Sequence, residues 1–134
     1  MTKSKIQEKK QLFDFTYNFN EIIKKEKWVP RYDIEADSFS FSVPKLPDDA
    51  RLKYFGDEFA FYISGGNKIR GIFIEYFNSN FTKHNKDFRK LTAGIQKGSE
   101  KALVKIKKDK ITKKIISGFS ESMKESLLAN FCLK

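Results

Sequence analysis

Residues 37–43 read Asp-Ser-Phe-Ser-Phe-Ser-Val, and this stretch decides the fold because its apolar and hydroxyl side chains alternate strictly. Successive side chains of a β-strand point to opposite faces of the sheet. Phe39, Phe41 and Val43 therefore share one face, and the serine hydroxyls share the other. Pro44 ends the strand, since proline has no N–H group to donate to a neighbouring strand. The stretch predicts a half-buried strand with its aromatic side toward the core.

Two further stretches carry the same alternation, and a turn joins them. They are residues 58–63 and 69–77, with Ser-Gly-Gly-Asn at 64–67 between them. Glycine and asparagine adopt the positive φ of tight turns at little cost. Residues 52–55 are a candidate for an additional short strand. We therefore predict an α+β fold whose sheet is a meander of three to four antiparallel strands, flanked by N-terminal and C-terminal helices. The predicted core face consists of phenylalanine and isoleucine: Phe39, Phe41, Phe59, Phe61, Ile72 and Ile74.

Two short motifs in this region resemble a known family. Residues 32–41 read Tyr-Asp-Ile-Glu-Ala-Asp-Ser-Phe-Ser-Phe, and residues 67–74 read Asn-Lys-Ile-Arg-Gly-Ile-Phe-Ile. They are similar to the signature of the domain of unknown function 2283 family, which comprises small bacterial proteins. The likeness covers residues 32–77 only, and Glu75 stands one place later than the family's glutamate. Because members are often encoded beside small ribonuclease-like toxins, the resemblance implies an antitoxin-like or accessory role and offers no catalytic residues.

The N-terminal residues 1–28 fit two structures. Aromatic and polar residues alternate between positions 13 and 19, as they do in a strand. Leu12, Phe15 and Phe19, however, also lie on one face of a helix. We favour a helix from about Gln7 to Lys27. The Val-Pro pair that follows ends it, because a residue before proline is pushed out of the helical region.

After the sheet, a cap at Asn80 or Thr82 predicts a helix that runs to Ile95, with Phe81, Phe88 and Leu91 toward the core. Glycine at position 98 ends this helix. We expect residues 1–98 to form the α+β core domain. Residues 99–134 then form a basic helical extension, either separate or part of the same domain.

The extension itself leaves two structures open. Residues 103–106 start a helix or form a short strand, Gly118 breaks the chain, and Ser120 caps a last helix. This order resembles the ribbon-helix-helix module of DNA-binding proteins. Its parts would be a strand at 102–107, a helix at 109–117, a turn at 118–120 and a helix at 121–133. The first helix is more than a turn too short for that module.

Length and cysteine content suggest a protein that folds without covalent or metal support. The chain has 134 residues and a single cysteine, Cys132, so no intrachain disulfide can form. This length buries a real core unaided. A single cysteine, the lack of a signal-peptide pattern and the lack of a membrane-length apolar run are typical of a cytoplasmic protein.

The net charge of +10 is concentrated in one segment. Residues 83–114 hold twelve Lys or Arg against three Asp or Glu, a net charge of +9, whereas residues 29–82 have a net charge of −2. Such asymmetry suggests an anionic partner. The alternative is that the lysines only solvate the surface. The candidate nucleic-acid-binding residues are Lys83, Lys86, Arg89, Lys90, Lys97, Lys101, Lys105, Lys107, Lys108, Lys110, Lys113 and Lys114.

The sequence shows no pattern of an established catalytic or metal site. His84 is the only histidine, so neither a zinc site nor a His-dependent triad is indicated. Asp33, Glu35 and Asp37 alternate like the start of a calcium loop, but the glycine and glutamate that such a loop needs later are missing. Asp33 and Asp37 are better explained as turn residues. We expect no cofactor and no metal.

These observations favour a non-enzymatic binding protein. We expect a homodimer that assists a nucleic-acid-processing protein, such as a toxin or a CRISPR or other defence nuclease, and contacts DNA or RNA through its basic C-terminal part. Tyr62, Phe73 and Phe77 are the candidate interface residues, because the strand pattern places them away from the core face. The alternatives are a small basic ribonuclease-type toxin and a structural subunit that does not contact nucleic acid.

Overall fold

The computed structural model describes residues 2–55, 59–95 and 103–132, and the side chains of residues 10–54, 59–95 and 103–125. Its helices pack against one face of a six-stranded antiparallel sheet, so the protein is α+β. The helices are α1 (Thr2–Tyr17), α2 (Phe19–Lys25), α3 (Thr82–His84) and α4 (Lys110–Cys132). The strands are β1 (Val29–Asp33), β2 (Ser38–Ser42), β3 (Arg51–Phe55), β4 (Phe59–Ser64), β5 (Lys68–Ile74) and β6 (Leu103–Lys105).

The strand order is β3-β4-β5-β2-β1-β6, so the sheet has more strands than predicted and is not a simple meander. The β1–β2 hairpin and the β3–β4–β5 meander join where β5 pairs with β2. At this junction Gly71 lies between Ser42 and Tyr62 of the neighbouring strands. A Cβ atom added to Gly71 would collide with the Ser42 side chain and approach Tyr62 Cδ2 to 3.0 Å. Close approach of the strands therefore requires glycine here.

The predicted core face is confirmed. Each of its six side chains is at most 2% exposed: Phe39, Phe41, Phe59, Phe61, Ile72 and Ile74. Above one end of this face, Trp28 stacks on Phe15 and meets Phe41 edge-on at a ring separation of 5.5 Å. Above the other end, Phe119 of α4 stacks on Phe39 at 5.4 Å. Such aromatic pairs contribute beyond the area that they bury.

The N-terminal segment is helical, as favoured, and not a strand. Leu12, Phe15 and Phe19 are buried on one side, as the helical spacing predicts. The helix is interrupted at Asn18, whose φ of −103° and ψ of 14° separate α1 from α2. The apolar face continues across this break, because Phe19 still packs against Trp28.

Strand β1 was not predicted, because the Val-Pro pair at its start predicts only the end of the N-terminal helix. In an antiparallel strand the N–H and C=O groups of one residue point to the same side. The Pro30 carbonyl accepts a hydrogen bond from Ile106 N–H at 3.0 Å, on the β6 side. The missing N–H group of Pro30 therefore lies on that side as well, and the ladder with β2 is kept.

The third predicted strand is too long, and the prediction that Phe77 faces away from the core is wrong. Strand β5 ends at Ile74, and Tyr76 adopts a left-handed conformation with φ of 51°. This residue turns the chain toward the core side just after the end of β5. Phe77 therefore returns into the core, where it is fully buried and stacks on Phe39 at 4.8 Å.

The two predictions for the helices after the sheet are also wrong. In place of one helix at 80–95, a π-helical turn (Phe77–Phe81), α3 and a 3-10 helix (Lys86–Leu91) follow one another. Helix α4 is continuous through Gly118 and Ser120. The ribbon-helix-helix interpretation fails, because it requires a turn at these residues. Residues 103–105 form a strand, and position 98 lies outside the described residues.

No helix within the described part of the chain is long and apolar enough to cross a membrane.

Candidate nucleic-acid interface

The structure gathers six predicted binding residues around the start of α4. We call them the lysine cluster: Lys105, Lys107, Lys108, Lys110, Lys113 and Lys114. All six are exposed. In sequence, residues 105–114 hold these six lysines against one acidic residue, Asp109. The cluster is therefore a dense run of positive charge in the sequence, and every member of it is exposed.

Two backbone features hold the lysine cluster in place. Lys105 pairs with Arg31 in the β1–β6 ladder, and the buried Ile106 anchors the chain beside Pro30. Asp109 then caps α4, since its Oδ1 atom accepts a hydrogen bond from the Thr112 N–H group at 2.8 Å. This bond lowers the pKa of Asp109. Strand pairing on one side and a helix cap on the other fix the backbone between them.

The lysines repel one another. Burial and the neighbouring charges of Lys105 and Lys113 lower the pKa of Lys108. Lys108 nevertheless donates a hydrogen bond through Nζ to the Trp28 carbonyl. Between described side chains, the ion pairs are Arg70–Glu26 at 3.8 Å and Lys124–Glu121 at 3.4 Å, and neither involves the cluster. Since the N-terminus of α4 adds a partial positive charge of its own, an anion would be stabilised here.

Helix α2 extends this surface with a residue that the sequence did not single out. A pocket of about 560 Å³ lies between α2 and α4. Lys24 lines it together with Lys108 and Lys113, and Glu21 contributes one carboxylate. The basic surface therefore reaches across the pocket. Only the packing of α2 against α4 reveals this, because the two segments are far apart in sequence.

The other predicted binding residues are divided between two places. Lys83, Lys86, Arg89 and Lys90 are exposed on α3 and the 3-10 helix. They lie on two short elements and not on the single helix predicted for this region. The other two predicted binding residues in this part of the chain, Lys97 and Lys101, lie outside the described residues.

The predicted interface aromatics Tyr62 and Phe73 lie on the outer face of the sheet, opposite the core. They meet edge-on with ring centroids 6.1 Å apart, and both are half-buried. The aromatic contacts of α1, α2 and α4 with the sheet all fall on the core face. The outer face is thus not covered by any helix that the structure describes, and Leu52 and Tyr54 are exposed on it.

A groove of about 250 Å³ crosses the middle of this outer face. Serine residues of β2 form its floor, and aromatic, aliphatic and charged side chains form its walls. The lining residues are Arg31, Asp33, Ser38, Ser40, Ser42, Leu46, Tyr62, Phe73 and Leu103. We call this feature the serine groove. The row of hydroxyls in β2 is the only sign of it in the sequence, which does not indicate the side chains on either side.

A hydrogen-bond network beside the sheet serves the fold. Asp37 accepts bonds from Tyr32 Oη at 2.6 Å and from the backbone N–H groups of Asn78 at 2.8 Å and Ser79 at 3.0 Å. Burial opposes ionisation of Asp37, but the bonds from Ser79, Tyr32 and the backbone outweigh it and lower its pKa. The polar groups are used to fix the turn after β5, which agrees with a turn role for Asp37.

Among the described residues, no group of three or more His, Cys, Asp or Glu side chains is placed to hold a metal ion. His84 lies in α3, where its ring meets that of Phe81 at 6.3 Å.

Comparisons with protein-family models, with curated proteins and with solved structures found no match to this chain.

Proposed function

We propose that this protein is a non-enzymatic nucleic-acid-binding protein that contacts the phosphate backbone through the lysine cluster. The observation that carries this proposal is the concentration of six exposed lysines, none of them in an ion pair between described side chains, at the N-terminus of α4. Lysines act on phosphates as point charges and do not read base edges. The cluster therefore supports backbone binding to DNA or RNA.

The lysine cluster also has a non-functional explanation, which is that the side chains only keep the protein soluble. Mutual repulsion argues against this explanation, because lysines spread over the surface would solvate it equally well. Burial is the largest cause of the lowered pKa of Lys108, and the charges of Lys105 and Lys113 lower it further. A phosphate backbone would relieve the repulsion, since each bound phosphate neutralises a charge and releases counterions.

Salt dependence of binding tests the proposal. Fluorescence anisotropy would compare wild type with a variant in which Lys107, Lys110, Lys113 and Lys114 are replaced by glutamine. Lys105 and Lys108 stay unchanged, because one belongs to the sheet and the other donates to Trp28. Each lost phosphate contact lowers the slope of log K against log salt by about 0.9 on duplex DNA, so the four substitutions lower it by at most about 3.6.

A charge-matched control variant distinguishes an effect of the lysine cluster from an effect of the protein's net charge. Replacement of Lys10, Lys25, Lys45 and Lys68 by glutamine removes the same charge outside the cluster, and all four residues are exposed. We expect this control to keep most of the wild-type slope. Equal losses in both variants, or no binding of wild type at about 50 mM salt, would contradict a phosphate-binding cluster.

The accessory role and its partners belong to the same proposal. A protein partner that processes nucleic acid, such as a toxin or a defence nuclease in the cytoplasm, fits a small basic module without a catalytic pattern. Affinity purification from the native host, with and without nuclease treatment, tests this. Retention of one nucleic-acid-processing enzyme after nuclease treatment is the expected result, and recovery of no such enzyme contradicts the accessory role.

A further inference from the structure

The serine groove combines an aromatic wall, a polar floor and a cation in one row of side chains. Strand pairing places Ser40 between Phe73 of β5 and Arg31 of β1, and Lys105 of β6 beside Arg31. Adjacent strands are about 4.8 Å apart, so Phe73 and Arg31 stand about 10 Å apart across Ser40. This spacing leaves room for a flat ring beside Phe73, while the Arg31 guanidinium donates to the Pro44 carbonyl at 3.5 Å.

The floor of the groove offers hydrogen-bonding groups that the protein itself does not use. Ser38 is 9% exposed and Ser40 is half-buried. Within the described part of the chain, neither hydroxyl forms a hydrogen bond, whereas Ser42 Oγ donates to the Val43 carbonyl at 3.1 Å. Buried polar groups are normally paired, so the unpaired hydroxyl of the buried Ser38 at the floor of an open groove points to a polar ligand, which the half-buried Ser40 could also contact. A hydroxyl both donates and accepts, as the edge of a nucleobase does.

We propose that the serine groove holds one unpaired base of a single-stranded nucleic acid. The base stacks on Phe73, its edge meets Ser38, Ser40 and Asp33, and its backbone continues over Lys105 toward the lysine cluster. Unpaired bases are commonly recognised by stacking on aromatic side chains and by hydrogen bonds to their edges. A duplex base is stacked and paired, so it cannot enter. This inference rests on the proposed function and adds the strand form that is bound.

A protein partner or a second copy fits the groove less well. Aspartate and serine are depleted at protein–protein interfaces. Asp33 lines the groove, and serines form its floor. The groove is also continuous with the lysine cluster through the β1–β6 ladder, which favours a ligand that carries both flat rings and negative charge.

Replacement of Phe73 by leucine tests the inference, because leucine keeps the apolar bulk and removes the stacking surface. Labelled single strands of DNA and RNA, and a duplex of the same DNA sequence, would be titrated with wild type, with Phe73→Leu and with Tyr54→Leu. Tyr54 is an exposed aromatic on the same face but does not line the groove. Thermal melting and light scattering of each variant would check folding and oligomeric state.

We expect wild type to bind the single strands more tightly than the duplex. Phe73→Leu should weaken single-strand binding roughly 5- to 150-fold, which is the range that loss of one base–aromatic stack produces. Its salt slope and its duplex binding should not change, since stacking involves no counterion. Tyr54→Leu should bind like wild type.

Three results would overturn the inference, and each says whether the proposed function survives. If Phe73→Leu binds single strands like wild type while the lysine variant is weakened, the groove fails and the phosphate-binding cluster stands. If Phe73→Leu only converts a dimer into a monomer, the groove is an interface between two copies. If wild type binds no nucleic acid in any form, the groove and the proposed function fail together.

Discussion

Replacement of Phe119 by alanine should remove a large part of the free energy of unfolding, because this side chain joins α4 to the sheet. Phe119 is fully buried, and its ring lies 4.4 Å from that of Phe88, 5.4 Å from that of Phe39 and 6.1 Å from that of Phe81. Replacing a buried phenylalanine by alanine costs about 3–5 kcal/mol through lost burial and a residual cavity. Because Phe119 packs against three other rings, we expect a cost in the upper half of this range.

Urea denaturation monitored by Trp28 fluorescence measures this cost. Trp28 is the only tryptophan, and it is fully buried, so its emission reports unfolding of the core. The free energy of unfolding of a small protein is about 5–15 kcal/mol. A loss of about 4 kcal/mol therefore lowers the urea midpoint strongly, while the m-value stays unchanged. Ile111→Ala is the matched control, because Ile111 lies in the same helix but is 57% exposed. Its effect should stay within about 0.5 kcal/mol. If the two variants differ by less than about 1 kcal/mol, α4 is not part of the core and the reasoning is refuted.

Three further predictions concern backbone space and ionisation. Gly118→Ala should raise the free energy of unfolding by about 0.5–1 kcal/mol in the same assay, because the added Cβ atom would contact only the Phe88 ring, at 3.7 Å. By contrast, Gly71→Ala should lower the free energy of unfolding by about 1–3 kcal/mol, because its Cβ atom would collide with Ser42. Asp37 stabilises the folded state above its unfolded pKa of about 3.9, and this contribution is lost as pH falls through its lower folded pKa. Acidification should therefore lower the urea midpoint of wild type more than that of Asp37→Asn. An equal drop in both proteins would contradict a stabilising role for the Asp37 carboxylate. The hydrogen bond to Glu75 raises the pKa of Tyr54 to about 12, so Glu75→Gln should lower the phenol pKa in an ultraviolet titration read against Tyr54→Phe.

The core face of the central strands was predictable because short-range periodicity encodes it. Alternation in residues 37–43 identifies β2 and its buried face without any knowledge of its neighbours. The 3.6-residue spacing of Leu12, Phe15 and Phe19 favours a helix, although the alternation between positions 13 and 19 also fits a strand. In these segments the local pattern and the tertiary burial agree, so nothing overrides the local signal.

The errors lie where tertiary contacts override local signals. Gly118 and Ser120 are typical of a helix end, yet α4 continues because Phe119 between them is buried in the core and Ser120 Oγ donates to the Thr16 carbonyl at 2.7 Å. Tyr76 in a left-handed conformation reverses the direction of Phe77, which a strand pattern does not anticipate. The cost of these local exceptions is about 1 kcal/mol each, which burial of one aromatic side chain outweighs.

The candidate site was predictable only in part, for a topological reason. The sequence alone predicts that the lysines are exposed. It also predicts that Tyr62 and Phe73 lie on the face of the sheet opposite the core. It does not predict the serine groove, because the groove requires β5 beside β2 and β6 beside β1, and both pairings join segments that are distant in sequence. Local patterns assign faces of strands, whereas the neighbours across a sheet come from the strand order.

The position of the lysine cluster at a sheet edge bears on what its members do. Edge strands often carry lysine to prevent pairing with another sheet. Strand β6 is one edge, and β3 at the other edge carries Arg51 and Lys53 on the same principle. Edge protection therefore accounts for Lys105, which is in β6. It does not account for Lys107, Lys110, Lys113 or Lys114, which follow the strand and have no edge to protect. The partial positive charge at the start of α4 makes its first turn, which begins at Lys110, an unfavourable place for lysine and a favourable one for an anion. The four substitutions that test phosphate binding therefore change lysines that neither edge protection nor the bond to Trp28 explains.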